Sequence, residues 1–158
     1  MPIPDFVRAL RGHVGHDPLW LSGVSVVVAD DERILLTRRK DNGLWAIVSG
    51  ILEPGEQPGP AALREVHEET GVDALLVRIT GVESTGPITY PNGDVAQYLD
   101  VCFLARYVAG KPHVADDENL DVAWFDVDAL PKELTETSRA RIAHALRDTS
   151  EAWFQSPT

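Results

Sequence analysis

The sequence predicts an α+β domain in which helices pack on a mixed β-sheet. Three observations predict it. β-Branched apolar runs recur along the chain between residues 21 and 127. Helical periodicity is confined to two stretches, one in mid-chain and one near the end. Strands and helices also mix without the regular alternation of a parallel α/β fold. At 158 residues and 44% apolar, the chain is sized for one domain that buries most of its unfolded surface.

The elements follow in order. "LSGVSVVVAD" (21–30) is a buried strand and "RILLTRR" (33–39) a second, with Asp30-Asp31 at the turn between them. "LWAIVSG" (44–50) is a third, short extended piece. From 57 to 70 the pattern turns helical, and Gly71 supplies the stop. Pro58 and Pro60 fall in the first turn, where backbone N–H groups have no intrahelical partner. "ALLVRITGVEST" (74–85) and "VAQYLDVCFLARYV" (95–108) are further strands, and Asn92-Gly93 before the second is a hairpin signal. "DVAWFDV" (121–127) is the last strand. "ETSRARIAHALRDT" (136–149) is a closing amphipathic helix with Ile142 and Leu146 on one face.

Charge narrows the function. Acidic residues outnumber basic ones 25 to 14, a formal charge of −11. Such a surface repels a nucleic-acid backbone or an anionic membrane, so neither a nucleic-acid polymer nor a membrane is an expected partner. It also repels a phosphorylated metabolite unless cations intervene. The lone cysteine, Cys102, has no internal disulfide partner, and "MPIPDFVRAL" lacks a signal-peptide apolar region. A cytoplasmic location is the expectation.

Against that background, "SGILEPGEQPGPAALREVHEETGV" (49–72) concentrates Glu53, Glu56, Glu65, Glu68 and Glu69. At the helical period, Glu65, Glu68 and Glu69 share an arc of about 100°. Ala62, Leu63, Val66 and Thr70 occupy the neighbouring arc, which predicts an apolar face beside an anionic edge. Like charges so spaced cost an isolated helix roughly 0.2–0.5 kcal/mol per pair. A divalent cation removes that cost. Magnesium takes carboxylates, waters and phosphates as ligands, and manganese is an alternative. Calcium lacks its loop pattern here, and zinc lacks Cys or His ligands, since His67 points off the edge.

Gly50, five residues, Glu56, seven residues, Arg64-Glu65-Val66, one residue, Glu68-Glu69, one residue, Gly71-Val72: this resembles the Nudix box, G-x5-E-x7-R-E-U-x-E-E-x-G-U with U apolar, at every specified position. The resemblance implies the Nudix fold, an αβα sandwich with a mixed sheet, over a domain at 21–150, with an N-terminal extension (1–20) and a frayed tail (151–158). It also implies metal-dependent hydrolysis of a nucleoside diphosphate linked to another group, giving a nucleoside monophosphate. The metal ligands it implies are Glu65, Glu68, Glu69 and the carbonyl of Ser49. Gly50, Glu56, Arg64 and Gly71 support the site, Arg64 as a salt-bridge brace. The box departs from the family's frequent "PGG" by reading Val48-Ser49-Gly50, but the residue 49 carbonyl is retained. A carboxylate beyond the box is usual in the family, and "DDENLDVAWF" offers Glu118 first, then Asp116 and Asp117. Catalytic acid–base candidates are therefore Glu65, Glu68 and Glu118. A Nudix-fold nucleotide-binding or regulatory module without catalysis is the alternative, and a homodimer is expected from the resemblance alone.

Substrate signals are weaker. Arg39 is the candidate for nucleotide contact, because alternation prevents Arg38 and Arg39 from both facing the site. Tyr90 is a candidate base-stacking residue, while Trp45 reads as a core residue. His13 and His16 read as structural or surface groups. Pro87 matches a marker of ADP-ribose hydrolases and Tyr90 one of dinucleoside polyphosphate hydrolases. ADP-ribose or a nucleoside triphosphate is the resulting expectation for a small-nucleotide substrate.

Overall fold

The computed structural model describes residues 3–157. Its centre is a mixed sheet. Strand β1 (Leu19–Asp30) turns at Asp31, φ 52°, into antiparallel β2 (Arg33–Arg39). Strand β3 (Trp45–Ala46) pairs with β2, and β4 (Val48–Ile51) with β1. Helix α2 (Pro58–Thr70) leads to β5 (Asp73–Ser84), which lies antiparallel to β7 (Val95–Ala109). The short β6 (Ile88–Thr89) forms the predicted hairpin with β7. Strand β7 runs parallel to β1 over their whole contact, and β8 (Asn119–Asp126) closes antiparallel on β2. Helix α1 (Asp5–Val14) precedes the sheet and helix α3 (Glu136–Ala145) follows it.

Burial explains the continuous valine run of β1. Val24, Val26 and Val28 pack with Ala61, Ala62 and Val66 of α2, whereas Val27 packs with Ile142 and Ala145 of α3. A strand covered on both faces is apolar at every position instead of alternating. The helices on opposite faces make the αβα sandwich.

Two local expectations are revised. The extended piece at 44–50 is two strands, because the chain changes partner at Ile47: Trp45 pairs with Arg38, but Val48 pairs with Val26. The closing helix stops at Ala145, leaving Leu146 as its half-exposed cap, so only Ile142 of the predicted pair is buried. The guanidinium of Arg78, remote in sequence, donates to the carbonyls of His144, Ala145 and Arg147 at 3.1–3.3 Å. It gives Ala145 O, at the end of the last helical turn, a donor in place of an intrahelical one. Residues 5–14 of the expected extension form α1, whose Val7 is buried against Leu21 and Ala96.

Arg11 fastens this helix, donating to the carbonyls of Gly15, Asp17 and Val95 at 2.6–3.1 Å. Within the segment expected to fray, Trp153 bridges the β5 edge. Its N–H reaches Thr80 O at 2.8 Å, its carbonyl accepts from Val82 at 3.0 Å, and its ring stacks on His144.

Candidate active site

The box forms the end of β4, a turn and all of α2. Gln57 is the N-cap, Pro58 fills the first helical position, and Gly71 ends the helix at φ 68° with its N–H on His67 O. Gly71 is also a close approach, since a Cβ there would stand 2.1 Å from the His113 ring.

The glutamates divide differently from the predicted anionic edge. Glu65 is fully buried and Glu69 is 7% exposed, alongside Ala61, Ala62, Val66 and Thr70, whereas Glu68 is exposed. The helix thus turns two carboxylates into the protein. The cause lies outside the helix. Strand β4 crosses Glu65, and the loop before β8 covers Glu69, with Ala115 N–H on Glu69 O and His113 N–H on Thr70 O. Gly50 makes the crossing possible, because a Cβ on it would lie 2.1 Å from the Glu65 carboxyl. Ser49, the residue before it, faces Ser25 across the β1–β4 ladder.

Arg64 organises the exposed side. Its fork donates to both Glu56 oxygens at 2.8 and 2.9 Å, and its Nη1 to Glu65 Oε1 at 2.8 Å and Glu68 Oε2 at 3.1 Å. Paired this way, Glu56 is held below the usual carboxylate range and Arg64 above its own. Glu56 also accepts from Glu53 N–H, which ties the turn to the brace.

One oxygen is left over. Glu65 Oε2 is buried and has no hydrogen-bond partner among the described residues. Buried acceptors are normally satisfied, so this atom asks for a missing partner. Burial pushes the Glu65 carboxyl up to about 7, against the pull of Arg64. Burial also raises Glu69, reinforced by the charges of Glu65 and Asp116 and opposed by a hydrogen bond from Asn119. A buried pair with only oxygen donors fits a hard divalent cation. His67 lies outside, exposed and 2.9 Å from Asp73, and Cys102 belongs to the core beneath α3. Among the described residues, no three Asp, Glu, His or Cys side chains already close on one point.

The remaining predicted residues are distributed as follows. Arg39 is half-buried within the fields of Glu69 and Tyr90, but its fork is engaged by Asp41 at 2.6 and 3.0 Å. A β-bulge separates it from Arg38, which is exposed and donates to Gly43 O. Tyr90 is half-buried against the Val7–Leu21–Ala96 cluster and shares a 2.7 Å hydroxyl contact with Tyr98. Trp45 packs edge-on against Phe125, and His16 contacts Asp94 at 2.8 Å. Glu118 is exposed on its loop, with its backbone held by Asp116 and Lys40.

Two residues of this loop gain weight from the structure. Asn119 Nδ2 spans Asp116 Oδ1 at 3.0 Å and Glu69 Oε2 at 3.4 Å, linking the loop to the helix. Asp116, second choice in the sequence, is the loop carboxylate that this amide joins to Glu69. Asn119 carried no sequence signal, because nothing in a loop's composition records which helix it will cover.

A helix presenting two buried glutamates beneath a glycine strand end, braced by one arginine, defines a class. The chain belongs to the NUDIX domain family, whose model matches residues 20–146. It is 34% identical over 118 residues to the NAD-capped RNA hydrolase NudC of Vibrio atlanticus, covering 73% of this chain and 41% of that protein. It is 33% identical over 112 residues to an ADP-ribose pyrophosphatase of Methanocaldococcus jannaschii, covering 69% and 63%. Among solved structures, a MutT NUDIX hydrolase from Burkholderia pseudomallei superimposes with a TM-score of 0.69 at 28% identity, covering 80% of this chain and 98% of that one. The chain spans about two fifths of the length of the NudC relative. No helix among the described residues is long and apolar enough to cross a membrane.

Proposed function

We propose that this protein hydrolyses the pyrophosphate bond of a nucleoside diphosphate linked to another group, with magnesium or manganese, and releases a nucleoside monophosphate. The observation that carries the reading is the unpartnered, buried Oε2 of Glu65 beside buried Glu69, on a helix whose sequence fills the box. Glu65, Glu68, Glu69 and the Ser49 carbonyl would hold the metal. When bound, a divalent ion neutralises phosphate oxygens and acidifies a coordinated water.

The protein's own groups supply the rest. Gly50 and Gly71 keep β4 and the following loop against α2. Arg64 and Glu56 fix the orientation of Glu65 and Glu68. Glu65, Glu68 and Glu118 are the candidate proton acceptors for the attacking water, which must lie in line with the departing phosphate. Arg39, which lies within the field of Glu69, would orient the nucleotide by exchanging Asp41 for a phosphate, and Tyr90 would stack on its base. The favoured substrates are ADP-linked pyrophosphates, supported by the two relatives, whose names concern ADP-ribose and an NAD cap. A small nucleotide, free in the cytoplasm, fits the acidic surface better than a polymer does.

A panel of ADP-ribose, NAD, ATP and a diadenosine polyphosphate, assayed with Mg²⁺ by chromatography of the products, tests the reading. AMP release from at least one is expected, with a loss of about 10²-fold or more in Glu69→Gln, the scale on which a site of this kind responds. No metal-dependent turnover of any member would favour a binding module instead.

A further inference from the structure

The N-terminal helix reaches the box. A cleft of about 270 Å³ is lined by Glu53, Arg64 and Glu68 of the box and by Pro4, Asp5 and Arg8 at the start of α1. Two of its lining residues are cations. Arg64 is committed to Glu56, Glu65 and Glu68. Arg8 is not.

The Arg8 Nε and Nη2 donate to Ile3 O at 3.0 and 2.8 Å, which holds the guanidinium at the cleft wall. Its Nη1 has no hydrogen-bond partner among the described residues. Asp5 lies 3.5 Å from Nη2, but its side chain is 98% exposed, where water screens the pair. The helix beneath is firmly placed by buried Val7 and by the three carbonyls that Arg11 engages. The result is a guanidinium with a spare Nη1, lining the same cleft as Glu53 and Glu68 of the box on a chain of charge −11. A planar guanidinium suits phosphate oxygens, which accept two parallel N–H bonds.

We propose that Arg8 is a specificity-determining residue that contacts a substrate phosphate in this cleft, so that α1 forms part of the substrate site. The inference rests on the hydrolase reading above. The selective effect is on binding: Arg8 lowers KM for substrates whose phosphate chain reaches the cleft and contributes less to the chemical step.

The test compares wild type, Arg8→Ala, Arg8→Lys and Lys132→Ala, the last removing an equal charge from outside the cleft. Titration calorimetry with Mg²⁺ and α,β-methylene ADP-ribose or α,β-methylene ATP gives Kd, and the natural nucleotides give kcat and KM. Arg8→Ala should weaken binding of at least one analogue by about 5- to 20-fold, the range of an exposed charge-assisted bond. KM should rise more than kcat falls, and Arg8→Lys should recover part of the loss. Equal Kd for wild type and Arg8→Ala, no binding by either, or an equal loss in Lys132→Ala overturns the proposal. If wild type binds an analogue but turns over no nucleotide, the hydrolase reading fails, while the Kd ratio still decides the role of Arg8.

Discussion

At the scale of single residues, Gly50 shows how tightly the site is specified. Its hydrogen is the only substituent that fits, since a methyl would overlap the carboxyl of Glu65 at 2.1 Å. The obstacle is a buried side chain pinned by Arg64, so it has no easy escape. Gly50→Ala is expected to lower stability by about 1–3 kcal/mol, the usual range for overpacking. Denaturant unfolding would measure it. Unchanged stability would mean that Glu65 is not packed against β4. In this chain the close approach of Glu65 accounts for the glycine, and the motif alone does not reveal it.

At the scale of elements, the sheet determines where helices end and how they dock. Arg78 on β5 caps α3 with three carbonyl contacts, and removing the guanidinium takes from Ala145 O its donor, while His144 O and Arg147 O keep the N–H groups of Arg147 and Thr149. Arg78→Met, which keeps most of the stem, is expected to cost about 1–2 kcal/mol. Amide exchange should quicken in the last turn of α3 while α2 is unaffected; uniform exchange across both helices would refute the assignment. The central strands and α2 were legible locally. Val26 to Val28 carry apolar side chains at consecutive positions, and Pro58 and Gly71 mark the ends of α2 by their backbone chemistry. The stop of α3 was not legible, because its cap comes from a strand some 70 residues earlier in the chain. The switch at Ile47 was hidden as well, since an extended segment looks the same whichever neighbour it pairs with.

At the scale of the whole molecule, the site draws on folding stability. Glu65 is raised to about 7 and Glu69 is raised too, both chiefly by burial, whereas unfolded glutamates titrate at about 4.3. The folded metal-free protein therefore binds more protons than the unfolded chain. The stability linked to these groups is fully present below the unfolded value and is lost as pH rises through the folded one. Without divalent metal, stability should fall between pH 5 and 8, with a slope of up to about 1.4 kcal/mol per pH unit for each proton involved. On the proposed function, Mg²⁺ is held by the ionised folded form, and its addition should restore stability at pH 8. Thermal unfolding across that range, with and without Mg²⁺, would show it. A metal-free protein most stable at pH 8 would contradict the burial of these carboxylates.

The family and the charge pattern of the box can be read from local sequence, because a helix fixes the spacing of Arg64, Glu65, Glu68 and Glu69. Long-range packing settles that Glu65 and Glu69 face inward and Glu68 outward, that Asn119 reaches Glu69, and that α1 brings Arg8 to the box. Those outcomes depend on which distant segments cover α2. Burial is a relation between parts of the chain that local spacing does not encode.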